Sequence, residues 1–108
     1  MKLVTVESIR AAYRLLKLTA FANVAMPARV KFLDKNIPDL GWYETKSKRI
    51  TIDSKINKMD LLITTVAHEM CHAALEQNGN CDHVEHDENF KALARIVEHE
   101  MGWPKGSV

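Results

Sequence analysis

The chain is predicted to fold as a small α+β domain, with elements in the order α-β-β-β-α-α. Three observations predict it. Apolar residues recur at helical spacing in three separate segments, near the start, after residue 57 and near the end. Between the first two lie short runs of β-branched and aromatic residues bounded by Gly, Pro, Asn and Asp, which form strands. A length of 108 residues is enough for one modest core, so the whole of 1–108 is expected to be a single domain. The expected architecture is an N-terminal helix, a three-stranded and mainly antiparallel sheet, a long central helix and a C-terminal helix.

From Thr5 to about Ala22, residues Val6, Ile9, Tyr13, Leu16 and Ala20 fall on one helical face. Thr5 is the expected N-cap, and Glu7 places negative charge in the first turn, where the helix dipole favours it. "NVAMPARVKFLD" is a break followed by a strand that starts at Pro27, with Val30 and Phe32 alternating with Arg29 and Lys31. "DLGWYETKSKRITIDSKI" predicts a hairpin. Trp42-Tyr43 and Ile50-Thr51-Ile52 supply its strands, and Lys46-Ser47-Lys48 its turn. Asn57 and Asp60 resemble a capping pair opening a long helix that stops at Gly79. "NGNCDHVEHD" is a loop by composition, and a last helix runs from about Asp87 to Met101. Its Phe90, Leu93, Val97 and Met101 face inward, and Gly102 ends it.

Composition excludes several classes of function. The formal net charge of +1 gives no global attraction to nucleic acid or membrane. The first residues are too short of apolar length for a secretory signal, and no run approaches a membrane span. Two cysteines, Cys71 and Cys81, are too few for a disulfide framework. A soluble, cytoplasmic protein is the expectation.

The chemistry is concentrated in "AHEMCH", residues 67–72. On the long helix, Ile63, Val66, Ala67, Met70, Ala73 and Ala74 occupy one broad apolar side. His68 and His72 lie on the other, near Leu61, Thr64, Thr65 and Leu75. One turn apart, their Cβ atoms are about 6 Å from each other, so both imidazoles can reach one ion. Glu69 projects about 60° round from His72, too far to be the natural third ligand but well placed to hold a water on that ion. These residue types at this spacing are what metal-assisted peptide hydrolysis requires: the metal acidifies water and the carboxylate takes its proton. The bland alternative is two ordinary histidines on a helix. The pattern's rarity in so short a chain, and the apolar character of the helix's other side, weigh against it.

A hydrolytic zinc needs three protein ligands and an open position. Cys81, His83, Glu85, His86, Glu88, Glu98 and His99 are the candidates for the third. The metzincin pattern would need Gly and His where Leu75 and Asn78 stand, so it fails. Glu98 lies near the far end of its helix. His86 is preferred, because it sits at the entry of the last helix and Phe90, four residues on, anchors that helix. His83, in mid-loop, is the competitor. Cys81 with His83 or His86 could instead belong to a structural zinc site, although four ligands at suitable spacing are not evident there. Cys71 is expected to be a small buried hydrophobe, and His99 a solvated residue at a helix C-terminus.

"LITTVAHEMCHAALEQNGNCDHVEHDENFKAL" resembles the core of SprT-like metallopeptidases, the group that includes the Spartan proteases. Those carry HEMxHA on a helix, a loop of about a dozen residues, then H-G-x-x-F or H-G-x-x-W opening the next helix. The upstream helix, Pro-initiated strand and hairpin agree in order. The resemblance implies a zincin-like fold, one Zn2+ held by His68, His72 and His86, and Glu69 as general base. It also implies a protein or peptide substrate lying extended along an edge strand, near the hairpin that carries Trp42 and Tyr43. A tyrosine hydroxyl there could stabilise an oxyanion; packing within the strand is the alternative. Two features depart from the family pattern. Asp87 stands where relatives have Gly after the third histidine, and no CxxC pair follows, so a minimal form without the zinc ribbon is expected. A basic group of Lys46, Lys48, Arg49, Lys55 and Lys58 could contact phosphates, or serve only as a charged, soluble edge. The expected function is zinc-dependent endopeptidase activity. The alternative is a non-catalytic, zinc-stabilised adaptor or DNA-associated binding module, whose mark would be a fourth protein ligand such as Cys81 or His83.

Overall fold

A computed structural model, which describes residues 2–79 and 88–108, contains α1 (Val6–Leu18), β1 (Lys31–Lys35), β2 (Gly41–Glu44), β3 (Arg49–Asp53), α2 (Met59–Gln77) and α3 (Glu88–Met101). The element order is the expected one. Helix α1 is capped by Thr5, whose Oγ1 accepts from the Ser8 N–H at 3.0 Å while Ser8 Oγ accepts from the Thr5 N–H at 2.9 Å. This reciprocal pair satisfies two donors that a helix start leaves open. The helix ends at Leu18, earlier than the apolar spacing suggests. The Phe21 N–H reaches back to the Leu16 carbonyl at 2.9 Å, and this wider turn carries Ala20 and Phe21 into the core without helix.

The sheet order is β1-β3-β2, and the sheet is mixed. β2 and β3 form the expected antiparallel hairpin, with Trp42 opposite Thr51 and Tyr43 opposite Ile50. Its turn includes Lys48 at φ 55°, a left-handed conformation that a non-glycine residue adopts at some cost. β1 runs parallel to β3, with Phe32 beside Ile50, and starts at Lys31, four residues beyond Pro27. β3 is therefore central, and Ile50, Thr51, Ile52 and Asp53 are all buried. β2 is an edge strand. Its Gly41 lies so close to the interior that a Cβ there would stand 3.0 Å from the Thr51 carbonyl oxygen and 3.1 Å from Thr65 Cγ2.

Helix α2 starts from an extended Lys58 with no side-chain cap, so the expected Asn57–Asp60 pair does not form. The Asp60 carboxylate instead accepts from the Leu61 N–H, at 2.9 Å, inside the first turn. The helix ends at Asn78, and Gly79, at φ 82°, takes the left-handed turn that L-residues avoid. Its burial is broader than a two-sided helical wheel implies. Leu62, Cys71 and Leu75 are buried as well as Val66, Ala67 and Met70, whereas Ile63 is half-buried. Packing against α1, α3 and the sheet covers the helix from several directions.

In α3, Phe90, Ala94 and Val97 are buried, with Leu93 and Met101 half-buried beside them. Gly102 at φ 69° ends the helix. The Glu98 carboxylate is only 2% exposed and folds the C-terminal segment back: it accepts from the backbone N–H of Gly106 at 3.1 Å and of Val108 at 2.8 Å. Arg95 closes on it as a fork at 2.6 and 3.0 Å. Among the described residues, no helix is long and apolar enough to cross a membrane.

Candidate active site

One face of α2 and the edge strand β2 enclose a cleft of about 540 Å³. From α2 it is lined by Leu61, Thr64, Thr65, His68, Glu69, His72 and Glu76, which recur at the three- and four-residue spacing of a single helical face. Across from them stand Asp39 to Tyr43, with Thr45 and Ser107 completing the walls. Two contacts fix the relative run of strand and helix. Gly41 abuts Thr65, and the Tyr43 hydroxyl donates to Glu76 Oε1 at 3.4 Å. The strand thus passes along the helix in the same sense, with His68, Glu69 and His72 midway.

The sequence-predicted trio is brought together here. The imidazoles of His68 and His72 have ring centroids 5.2 Å apart, with 67° between their planes. Phe90, 3% exposed, backs both of them from α3, at 4.9 Å from His68 and 4.7 Å from His72. Phe90 therefore docks the first turn of α3 beside the two histidines, and limits how either ring can turn. Glu69 is 4% exposed. Burial, and secondarily the Asp39 carboxylate, pushes its pKa up to about 8. A divalent cation beside it would favour the ionised form instead. Two imidazoles one helical turn apart are donor chemistry that zinc takes, and the carboxylate beside them suits a water on such an ion, so these residues fit it.

The other candidate ligands are placed differently. Glu88 is exposed and lies 3.9 Å from Lys91, Glu98 is committed to Arg95 and the C-terminal backbone, and His99 is exposed in the last turn of α3. Cys81, His83, Glu85, His86 and Asp87 lie outside the described residues. Among the described residues no group of three or more His, Cys, Asp or Glu is arranged to hold an ion. Cys71 is fully buried, as a small hydrophobe would be, and burial pushes its thiol pKa up.

Sequence reasoning missed Glu76, Asp39 and Ser107 as walls of the cleft. Glu76 alone had a signal, since it stands one further turn along the face of His68 and His72. Its Oε1 also pairs with the Lys48 ammonium. Burial, followed by the Glu76 charge, holds the Tyr43 phenol proton on far above its ordinary range. Three of the five basic residues noted around the hairpin face carboxylates: Lys48 with Glu76, Arg49 with Glu44 at 2.9 Å, and Lys55 with Asp53 at 2.9 Å.

No match was found among curated proteins or among solved structures. The profile of the SprT-like family, however, matches residues 9–107, which takes in every helix and strand described except the first three residues of α1. That span includes the helix bearing His68, Glu69 and His72 and fits a metallopeptidase-like domain, and the chain belongs to the SprT-like family.

Proposed function

We propose that the chain is a zinc-dependent metalloendopeptidase that hydrolyses peptide bonds of protein or peptide substrates. One observation carries the reading: His68, Glu69 and His72 open together into a cleft bordered by an edge strand. His68 and His72 would hold one Zn2+, with His86 as third ligand. Phe90 supports that choice, because it docks the start of α3, four residues beyond His86, against the two imidazoles. Zinc bound there supplies Lewis acidity, polarising the scissile carbonyl and acidifying water. Glu69 takes the proton of the attacking water and passes it to the leaving nitrogen; its enclosure keeps bulk water from competing for that proton. Phe90 holds the imidazoles in place, and β2, an edge strand among the described residues, offers backbone groups to an extended peptide. Contact with nucleic acid through Lys46, Lys48 and Arg49 is the weaker part of the reading, since Lys48 and Arg49 already face carboxylates.

The test compares the parent with Glu69→Gln, His72→Ala and His86→Ala on a denatured protein substrate, with zinc measured by elemental analysis. Glu69→Gln should keep its zinc and lose cleavage by about 10²-fold or more. Each histidine variant should lose zinc as well as activity. Cleavage by Glu69→Gln at the parental rate, or equal zinc in His72→Ala and parent, overturns the proposal.

A further inference from the structure

Tyr43 is among the polar side chains of the cleft that the mechanism above leaves unused. Tyr43 reaches the cleft from β2, and its hydroxyl donates to Glu76, one helical turn beyond His72. That hydrogen bond, at 3.4 Å, is at the long end of the range and correspondingly weak. The same Glu76 oxygen is also gripped by Lys48. If the phenol turned away, the carboxylate would keep a charged partner, so little is lost by releasing it. The ring itself is held, because Tyr43 is half-buried against the core. A fixed ring with a lightly held donor proton is suited to a bond formed only when a substrate is present.

We propose that Tyr43 is a catalytic residue of the peptidase, releasing Glu76 to donate its hydroxyl hydrogen bond to the carbonyl oxygen of the scissile peptide as negative charge develops there. The inference rests on the hydrolase reading given above. As the water oxygen bonds to the carbonyl carbon, Glu69 takes one proton and the carbonyl π pair moves onto oxygen. Tyr43 donates a hydrogen bond to that oxygen and keeps its own proton. The carbon–nitrogen bond then breaks with its electron pair going to nitrogen, which receives the proton held by Glu69. The second water proton leaves the new carboxyl group for the amine, giving a carboxylate and an ammonium product. A donor placed for the transition state adds to rate and little to substrate binding.

The test uses the zinc-loaded parent, Tyr43→Phe and Glu69→Gln in one peptide-cleavage assay. Affinity for a phosphinic peptide, which mimics the tetrahedral state, is measured alongside zinc content and Tm. Tyr43→Phe removes one oxygen and keeps the packed ring, so zinc content and Tm should match the parent. Its kcat should fall about 10²-fold with KM within about twofold, and its affinity for the phosphinic peptide should fall by a comparable factor. A kcat within about threefold of the parent, or a raised KM at unchanged kcat, overturns the proposal. If the parent cleaves and Glu69→Gln does not, such a result defeats Tyr43 alone. A parent that does not cleave, or an active Glu69→Gln, defeats the hydrolase reading and this inference with it.

Discussion

Replacing Glu98 by Ala should destabilise the protein by about 3 kcal/mol, and the figure can be assembled from the geometry. The Glu98 carboxylate is the acceptor for the Gly106 and Val108 N–H groups. Losing an ionised acceptor costs each of them about 1 kcal/mol. The fork to Arg95 adds about 1 kcal/mol more, a low value because the Arg95 side chain is 38% exposed and regains water when unpaired. Burial alone would raise the Glu98 pKa, but the bonds from Val108, Arg95 and Gly106 together hold it below the ordinary carboxylate range. The stabilisation is therefore complete above the unfolded-state value of about 4.3 and is lost as pH falls through the lower folded value. Urea unfolding at neutral pH and at several acidic pH values measures both effects, and the variant's stability should change less with pH below about 5. Amide exchange should accelerate at Gly106 and Val108. A loss under about 1 kcal/mol at neutral pH, with exchange at those amides unchanged, would show that Glu98 does not hold the C-terminal segment.

Three further outcomes are expected. Phe90→Ala should cost about 3–4 kcal/mol in denaturant unfolding, and should weaken zinc binding about tenfold by freeing the rings of His68 and His72. Gly41→Ala should cost about 1–3 kcal/mol, because the added Cβ meets a backbone oxygen that cannot turn aside; thermal unfolding checks this. Thr5→Ala removes the Ser8 N–H acceptor at the start of α1 and should lower stability by about 1 kcal/mol, with faster exchange at the Ser8 amide.

Features legible in the sequence were those set over a few residues. Thr5 as N-cap, the hairpin about Lys46–Lys48, the glycine stops at 79 and 102, and the shared face of His68 and His72 all follow from local geometry. Tertiary choices were hidden. The parallel pairing of β1 with β3 joins residues such as Lys31 and Arg49, and no periodicity records it. Asn57 had the right chemistry for a cap, but the chain turns into helix one residue later, at Lys58. Glu98 was readable as a candidate metal ligand, disfavoured by its place near the far end of its helix; only folding back of residues 103–108 reveals it as a clamp on its own terminus. The partnership of Tyr43, Lys48 and Glu76 joins a hairpin to a helix end about thirty residues away, beyond any spacing rule.

Helix α2 lacks a solvent face along most of its length: from Leu61 to Glu76 every residue is buried or half-buried, and exposed positions occur only at its two ends. His68, Glu69 and His72 are thus mounted on the axle of the molecule and not on a lid. Heat inactivation of the described part of the site should then coincide with global melting, with no milder stage in which the fold survives and these three groups scatter. Evolution of the helix is hemmed in for the same reason, since a substitution along it disturbs either the cleft on one side or the interlocking interior on the others.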